Sequence, residues 1–415
     1  MREMKDSGIS WVGEIPKKWS VWRNKYIFKI TKDIVLPSKN YQLLSLTTTG
    51  IKEKDENDNG GKVPENYDGY QVVKENDLVM CLFDLDCSAV FSGLSPYNGM
   101  ISPAYKVLKV KKRIANEQYY RYWFNYVGSK RFYKQYSKSL RFTLNADEFN
   151  RLFSLLPPLD EQQRIAEFLD RECGKIDGLK ADIQAQIDTL EQYKRSVITE
   201  AVTHGLNPSA PMKDSGIPWV GQFPTHWTKK KGKYILRYMS KPVKQDDGVI
   251  TCFRDGEVTL RSNRREDGFT MADKEIGYQG VDVGDLVVHG MDGFAGAIGI
   301  SDSRGKASPV LNVLNTKQNK KYIMYYLRSM AYGDVFTALS TGIRVRSCDL
   351  RWNKLAELLY PLPPIDEQNN IVNYIDEQIA RTNEIIADKK SQIETLDGYK
   401  KSLIYEYVTG KKEVG

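Results

Sequence analysis

Basic side chains in polar stretches are the residues of this sequence whose types could bind a charged ligand. In the second half of the chain the candidates are Arg254, Arg261, Arg264, Arg265, Arg344 and Arg346. In the first half they are Lys52, Lys54, Lys62, Lys138 and Arg141. A guanidinium can form two hydrogen bonds with guanine O6 and N7, and lysine can hold phosphate. These residues are therefore candidates for DNA contacts, and a solvated surface charge is the alternative for each one.

The distribution of charge along the chain favours a polyanionic partner. The net charge of +8 over 415 residues divides into +8 for residues 1–157, −4 for 158–205, +7 for 206–362 and −3 for 363–415. Two basic bodies therefore alternate with two acidic connectors, which is the pattern expected if the bodies contact nucleic acid and the connectors do not. The alternative is that long solvated helices are simply rich in glutamate.

Sequence motifs of enzyme chemistry are missing. The chain contains no GxxxxGK[ST], HExxH, GxSxG or strand-linked GxGxxG motif, and no NPPY-like tetrapeptide of an amino methyltransferase. The three histidines, His204, His226 and His289, are scattered. We therefore expect no catalytic residues and no metal site. A stand-alone methyltransferase or nuclease is the enzyme alternative, and it would need a motif that the sequence does not supply.

The sequence also indicates a cytoplasmic location. The chain starts with the charged MREMKDSG, and it has no apolar run of the roughly 18 residues that a spanning helix needs. Its five cysteines are odd in number and form no CxxC pair, which is typical of reduced thiols.

Two stretches of sequence occur twice and define the organisation of the chain. MKDSGISWVGEIPKKW (4–19) and MKDSGIPWVGQFPTHW (212–227) share eleven of sixteen positions. LPPLDEQQRIAEFLD (156–170) matches LPPIDEQNNIVNYID (362–376). Each half of the chain is therefore one copy of the same unit.

The end of each copy is predicted to be a long helix with a sevenfold apolar repeat, typical of a coiled coil. The apolar positions are Leu169, Ile176, Ile183, Ile187, Leu190, Val197, Ile375, Ile379, Ile386, Ile393, Leu396 and Leu403. Asp160 and Asp366 are the predicted N-caps. Lys180, Thr382 and Lys389 interrupt the repeat, so we expect looser packing there or room for another protein.

The two helices supply matching apolar stripes, and we expect them to pair in antiparallel orientation. About 40 residues at 1.5 Å each span roughly 60 Å, so the paired helices could hold the bodies apart. The predicted fold is α+β: two α/β bodies, related by a pseudo-twofold axis, are separated by two long helices that form an antiparallel coiled coil. The predicted boundaries are 1–157 for the first body, 158–205 for the first helix, 206–362 for the second body and 363–415 for the second helix.

Within each body the sequence predicts mainly strands, with a short helix after Asn116 and after Asn319. The bodies differ most in the inserts at about 40–70 and 248–277, which have almost no sequence in common. A shared framework with unlike inserts suggests two sites of similar construction that recognise different targets. A coiled-coil scaffold that binds no DNA would explain the repeats but not the charge of the bodies.

The paired SGI-x-W-V-G-x-x-P-x-x-W openings, LPP(L/I)DEQ helix starts and coiled-coil ends resemble the specificity subunit of Type I restriction-modification enzymes over essentially the whole chain. The resemblance implies that the bodies are target recognition domains, each reading one half of an asymmetric bipartite DNA site. It implies that the helices set the unread spacer and dock the modification subunits.

The same resemblance implies further partners. Two modification subunits would methylate adenine with S-adenosylmethionine, and restriction subunits would cleave DNA with ATP and Mg. The chain itself would bind no cofactor and catalyse nothing. Because the reading residues differ among family members, the resemblance assigns no base contact to a particular residue.

Overall fold

The computed structural model describes residues 2–35, 41–54, 67, 69–264, 276–339 and 350–414. The chain divides into two compact units. The first unit comprises residues 1–183 and 391–415, and the second comprises residues 184–390. Each unit therefore holds one body together with part of each long helix.

The first copy is built mainly from short strands that precede a long helix. Its strands are β1 (Met4–Asp6), β2 (Glu14–Pro16), β3 (Ser20–Arg23), β4 (Phe28–Thr31), β5 (Leu44–Thr47), β6 (Gly50–Glu53), β7 (Gln71–Val73), β8 (Leu78–Met80), β9 (Ser92–Leu94), β10 (Gly99–Ile101), β11 (Lys106–Val110) and β12 (Phe153–Leu156). Its helices are α1 (Asn24–Ile27), α2 (Glu117–Ser129), α3 (Ala146–Arg151) and the long α4 (Leu159–His204).

The second copy has the same plan. Its strands are β13 (Met212–Asp214), β14 (Gln222–Pro224), β15 (Thr228–Lys231), β16 (Leu236–Tyr238), β17 (Ile250–Cys252), β18 (Val258–Leu260), β19 (Gln279–Val281), β20 (Leu286–His289), β21 (Ile298–Ile300), β22 (Gly305–Ala307), β23 (Leu311–Thr316) and β24 (Leu359–Leu362). Its helices are α5 (Lys320–Tyr332), α6 (Val335–Ala338), α7 (Trp352–Glu357) and the long α8 (Ile365–Val408).

A four-stranded antiparallel sheet forms the centre of each body. The strand order is β4-β11-β8-β9 in the first body and β16-β23-β20-β21 in the second. The central strands β8 and β20 are buried along Leu78–Met80 and Leu286–Val288, as their continuous apolar runs predict. The α+β architecture predicted from the sequence is confirmed.

The short helices predicted after Asn116 and Asn319 are confirmed. The Asn116 side chain accepts a hydrogen bond from the Tyr119 N–H, and the Asn319 side chain accepts from the N–H groups of Lys321 and Tyr322. These caps satisfy backbone donors at the first turns of α2 and α5. The rings of Tyr119 and Tyr322 are completely buried, so they belong to the core.

The prediction that Asp160 and Asp366 cap the long helices is wrong. The Pro158 carbonyl accepts from the Gln162 N–H at 2.9 Å, and the Pro364 carbonyl accepts from the Gln368 N–H at 3.0 Å. Each proline is therefore the N-cap residue, because its carbonyl already accepts the first helical bond while the proline itself lies outside the helix. The aspartates lie within the first turn, where the helix dipole favours a negative charge.

Antiparallel pairing of the long helices is visible inside each unit. In the first unit, Phe168 stacks on Tyr407 with ring centroids 4.3 Å apart, and Asp177 pairs with Lys400 at 2.7 Å. In the second unit, the Tyr193 hydroxyl donates to the Gln378 side chain at 3.5 Å. The partner number falls as the residue number rises, which is the signature of antiparallel helices.

The predicted coiled-coil positions lie along these pairings. Leu169, Ile176, Ile187, Val197, Ile375, Ile386 and Leu403 are buried, and Ile183, Leu190, Ile379, Ile393 and Leu396 are half-buried. The interrupting polar residues have partners: Lys180 pairs with Asp397, Lys389 donates to the Gln186 side chain, and the Thr382 hydroxyl donates to the Gln378 carbonyl. Polar contacts thus replace apolar contacts at the middle of each long helix.

Candidate nucleic-acid interface

The unlike inserts of the two bodies carry the same structural element. Within the described residues, the first insert contributes the hairpin β5–β6 and the second contributes the hairpin β17–β18. The two hairpins share almost no sequence. Both hairpins are held together by backbone hydrogen bonds. They can therefore have the same fold although their sequences differ.

A glycine in the edge strand lets each hairpin approach the central sheet. A methyl group added at Gly93 of β9 would lie 2.9 Å from the Leu46 side chain. One added at Gly299 of β21 would lie 2.0 Å from the Gly256 carbonyl oxygen. At Gly299 the methyl group would clash with backbone, whereas at Gly93 it would displace the Leu46 side chain, so glycine eases the approach of both hairpins.

The two hairpins are anchored differently. In the second unit the Arg328 guanidinium, from α5, donates to the carbonyls of Ile298 at 2.8 Å and Asp255 at 3.0 Å, and so reaches the hairpin turn. The equivalent residue of α2 is Asn125, whose side chain is shorter than that of arginine. Asn125 instead lines an open polar cavity of about 870 Å³ in the first unit, beside the hairpin residues Thr48–Ile51.

A second loop of the first body, residues 137–144, is bonded to the chain that leaves the central strand β8. The Asp84 N–H donates to the Arg141 carbonyl at 3.1 Å, and the Leu144 N–H donates to the Leu82 carbonyl at 2.8 Å. These bonds tie the loop to the chain after β8 at Arg141 and Leu144, so Lys138 and Arg141, two of the candidates, lie on an anchored loop.

In the second body, the segment after β20, residues 290–296, corresponds to the chain that leaves β8 in the first body. The Leu350 N–H donates to the Gly290 carbonyl at 2.8 Å. His289 Nδ1 accepts from the N–H groups of Met291 at 3.2 Å and Asp292 at 2.9 Å, which holds the loop closed. Burial lowers the pKa of His289, so the ring is a neutral acceptor at neutral pH.

The four described candidates of the first body have no ion-pair partner among the residues that the structure describes. Lys52, Lys138 and Arg141 are exposed, and Lys54 is half-buried. Among the described residues, no carboxylate lies within 4.0 Å of any of these four charges. None of the described carboxylates therefore neutralises these charges.

Three further basic residues of the first body escaped the sequence reasoning. Lys130, Arg131 and Lys134 line an open cavity of about 480 Å³ together with Phe142. The signal was present in SKRFYKQYSKSLRF, residues 129–142, where basic and aromatic residues alternate. In the structure these residues lie beside Phe142 of the 137–144 loop and line the same cavity.

Two candidates of the second body, Arg254 and Arg264, differ because they pair with acidic side chains. Arg254 pairs with Asp292 at 3.0 Å, and Arg264 pairs with Asp255 at 2.7 Å and Glu257 at 3.0 Å. The hydrogen bond with Asp255 raises the pKa of Arg264. Arg261 donates to the Thr251 hydroxyl at 3.4 Å. The predicted contacts at Lys62, Arg265, Arg344 and Arg346 lie outside the described residues.

Metal-binding clusters and membrane-spanning helices are both absent from the part of the chain that the structure describes. Across the ranges that the structure describes, no cluster of three or more His, Cys, Asp or Glu side chains has an arrangement that could hold a metal ion. Within the same ranges, no helix combines the length and apolar character needed to cross a membrane.

Similarity to known proteins covers the whole chain. No protein-family model matches it. A curated relative from Methanocaldococcus jannaschii, provisionally assigned as the type I restriction enzyme MjaX specificity subunit, is 22% identical over 441 aligned positions that cover 97% of this chain and 96% of the relative.

Solved structures agree in fold. A chain from a structure of the type I R-M system, which concerns its complex assembly and conformational transition, has a TM-score of 0.67 at 13% identity and covers 96% of this chain and 99% of that one. The HsdS subunit from Thermoanaerobacter tengcongensis has a TM-score of 0.49 at 14% identity, with 96% of this chain and 98% of that one covered, and this weaker likeness adds no support.

The fold is that of a type I restriction-modification chain. The duplicated motifs and the relative that matches over nearly its full length both point to the specificity subunit within this class. The resemblance drawn from the motifs is confirmed, because the curated relative that matches nearly the whole chain is a type I restriction enzyme specificity subunit.

Proposed function

We propose that the chain is the DNA-specificity subunit of a Type I restriction-modification complex, in which each body reads one half of an asymmetric bipartite site. One observation carries the asymmetry: two bodies with the same framework present hairpins of the same fold but of unrelated sequence. Different side chains on an equivalent platform predict different target bases, since base edges are read by side-chain type.

In the proposed complex, partner subunits would carry out the catalysis. Two modification subunits would methylate adenine with S-adenosylmethionine, and restriction subunits would use ATP and Mg to cleave DNA. The chain would bind double-stranded DNA in the cytoplasm, hold no cofactor and set the spacer with α4 and α8. The polar contacts at Lys180, Thr382 and Lys389 are candidate points at which a modification subunit docks between the helices.

A domain exchange tests the proposal. Residues 20–155 are replaced by the corresponding segment of another specificity subunit, and methylated adenines are mapped in cells that express the modification subunits. One half-site should change while the other half-site and the spacer length stay the same. A change in both halves would refute independent reading by the two bodies.

The helices need a separate test. One heptad is added to α4 and one to α8 at positions that keep the antiparallel register, and the methylated sites are mapped again. A longer unread spacer, or loss of the assembled complex, is expected. An active complex with an unchanged spacer would contradict the role assigned to the helices.

A further inference from the structure

Leu140 of the first body is the outstanding apolar residue on the described surface. Its side chain is fully exposed, at 102% of the reference area, whereas the next most exposed large apolar side chain of the described chain, Ile276, has 78%. Single exposed apolar residues are common on protein surfaces. Leu140 differs because of the way its loop is built and the charges that surround it.

The loop holds Leu140 at the tip of a fixed turn. The Phe142 N–H donates to the Ser139 carbonyl at 3.0 Å, so Leu140 and Arg141 are the two central residues of a β-turn. The Thr143 N–H donates to the Ser139 hydroxyl at 2.7 Å, and the Ser137 hydroxyl donates to the Thr143 carbonyl at 2.9 Å. The turn therefore presents Leu140 in one position before any ligand arrives.

Positive charge flanks the turn. Lys138 and Arg141 lie beside Leu140 in the chain and are exposed, and the Lys134 ammonium lies 4.5 Å from the centroid of the Phe142 ring. Lys130 and Arg131 extend the same basic surface. An exposed apolar tip on a basic platform suits a polyanion whose interior is apolar, and stacked duplex DNA meets that description.

We propose that Leu140 acts as a wedge that enters between two stacked base pairs of the half-site bound by the first body, while Lys138 and Arg141 hold the flanking phosphates. The inference rests on the proposed DNA-specificity function and adds to it a mechanism by which the first body recognises DNA. Apolar wedges partly unstack a base step and kink the duplex, and flexible steps resist this least. The first body would therefore select for deformability at a step where it forms no hydrogen bond to a base.

Fluorescence of 2-aminopurine tests the wedge, because this base brightens when it loses its stacking partner. The probe is the duplex that carries the mapped methylation site, with 2-aminopurine placed in turn at each position of both half-sites. The chain is assembled with its modification subunits. Wild type should brighten one position other than the methylated adenine.

Leu140→Ala should abolish that signal and weaken specific binding by about tenfold to a hundredfold, the range expected for burial of one leucine side chain. Leu140→Met should retain both the signal and the affinity. Leu206→Ala, at the partly exposed leucine of the linker between α4 and β13, is the matched control and should behave as wild type. Unfolding midpoints should be equal for wild type and the two Leu140 variants, because the Leu140 side chain contributes no burial.

The outcomes separate the wedge from the function on which it rests. If wild type binds its mapped site but no second position brightens, or if Leu140→Ala keeps the signal, the wedge is refuted and the specificity function stands. If the assembled wild type does not bind the mapped site, the specificity function is refuted and the wedge with it.

Discussion

The indole N–H of Trp19 donates to the carboxylate of Glu161 at 2.9 Å, and both side chains are buried. Trp227 makes the same bond to Glu367 at 3.0 Å in the second unit. The tryptophan ends the opening motif and the glutamate belongs to the LPP-x-DEQ motif. The two repeated stretches of sequence are therefore the two sides of one contact, which explains why they recur together.

Removing this contact should destabilise the chain. Trp19→Phe leaves the Glu161 carboxylate buried with one donor fewer, and hydrogen bonds to charged groups are worth about 1.5–3 kcal/mol. Glu161→Ala should cost more than Glu161→Gln, since glutamine keeps an acceptor of the same shape. Chemical denaturation of the full chain measures the loss. Trp22→Phe, at a tryptophan of the same body that is 41% exposed, is the control and should have little effect; equal losses for Trp19→Phe and Trp22→Phe would contradict the assigned role.

The two edge-strand glycines should respond unequally to alanine. At Gly299 the added methyl group meets the backbone oxygen of Gly256, which cannot move without the hairpin. At Gly93 it meets side-chain atoms, Cδ1 of Leu46 at 2.9 Å and Cγ1 of Ile51 at 3.1 Å, which need to shift by only a few tenths of an ångström. We expect Gly299→Ala to cost about 3 kcal/mol or more and Gly93→Ala about 1 kcal/mol or less. Hydrogen exchange over residues 250–260 and 44–53 checks this, and equal loosening of both hairpins would contradict it.

Arginines with and without acidic partners should differ in DNA binding. Arg141→Ala removes an unneutralised charge, so the slope of log K against log salt should become shallower by about one. Arg264→Ala removes a charge already paired with Asp255 and Glu257, so its effect should be smaller. Binding measured over a series of salt concentrations tests the contrast. A larger slope change for Arg264→Ala would show that its carboxylate partners release it in the complex.

The His289 ring makes the stability of the second unit depend on pH. Burial lowers its folded pKa below the value of about 6.5 found in unfolded chains. The unfolded state therefore binds more protons in this window, and the stability is fully present above pH 6.5 and is lost as the pH falls through the folded pKa. Denaturation midpoints at pH 8 and pH 5 should differ more for wild type than for His289→Asn. Parallel pH profiles for the two proteins would refute this role.

Much of the framework could be predicted, because local signals and long-range contacts agree there. Asn116 and Asn319 mark helix starts through the hydrogen bonds of their own side chains, and the apolar sevenfold repeat marks the helix pair. The antiparallel pairing followed from the need of each stripe for a partner. The N-cap was misplaced by two residues because a proline carbonyl can accept the first helical bond as well as any other carbonyl, and the side-chain pattern does not show this.

The candidate interface could be predicted only in part. Comparison of the two halves of the sequence located the unlike inserts but did not predict that both contain a hairpin. The hairpins form through backbone hydrogen bonds and pack close to Gly93 and Gly299, and neither feature depends on a shared sequence pattern. Charge type identified Arg264 as a candidate, but its partners became evident only when the hairpin brought Asp255 and Glu257 beside it. No sequence motif marked Leu140, because the properties that set it apart are its exposure and its place in a β-turn, which only the structure shows.

Contacts between residues 1–183 and residues 391–415 complete the first unit, and they bear on the order in which the two units can fold during protein synthesis. The Tyr119 hydroxyl donates to the Val408 carbonyl at 3.0 Å, and Gly410, with a φ of +70°, lies against Trp19. The second unit needs only residues 184–390, an unbroken stretch of chain. Residues 1–183 therefore complete their unit only after residues 391–415 have been translated, whereas residues 184–390 can complete the second unit before that point.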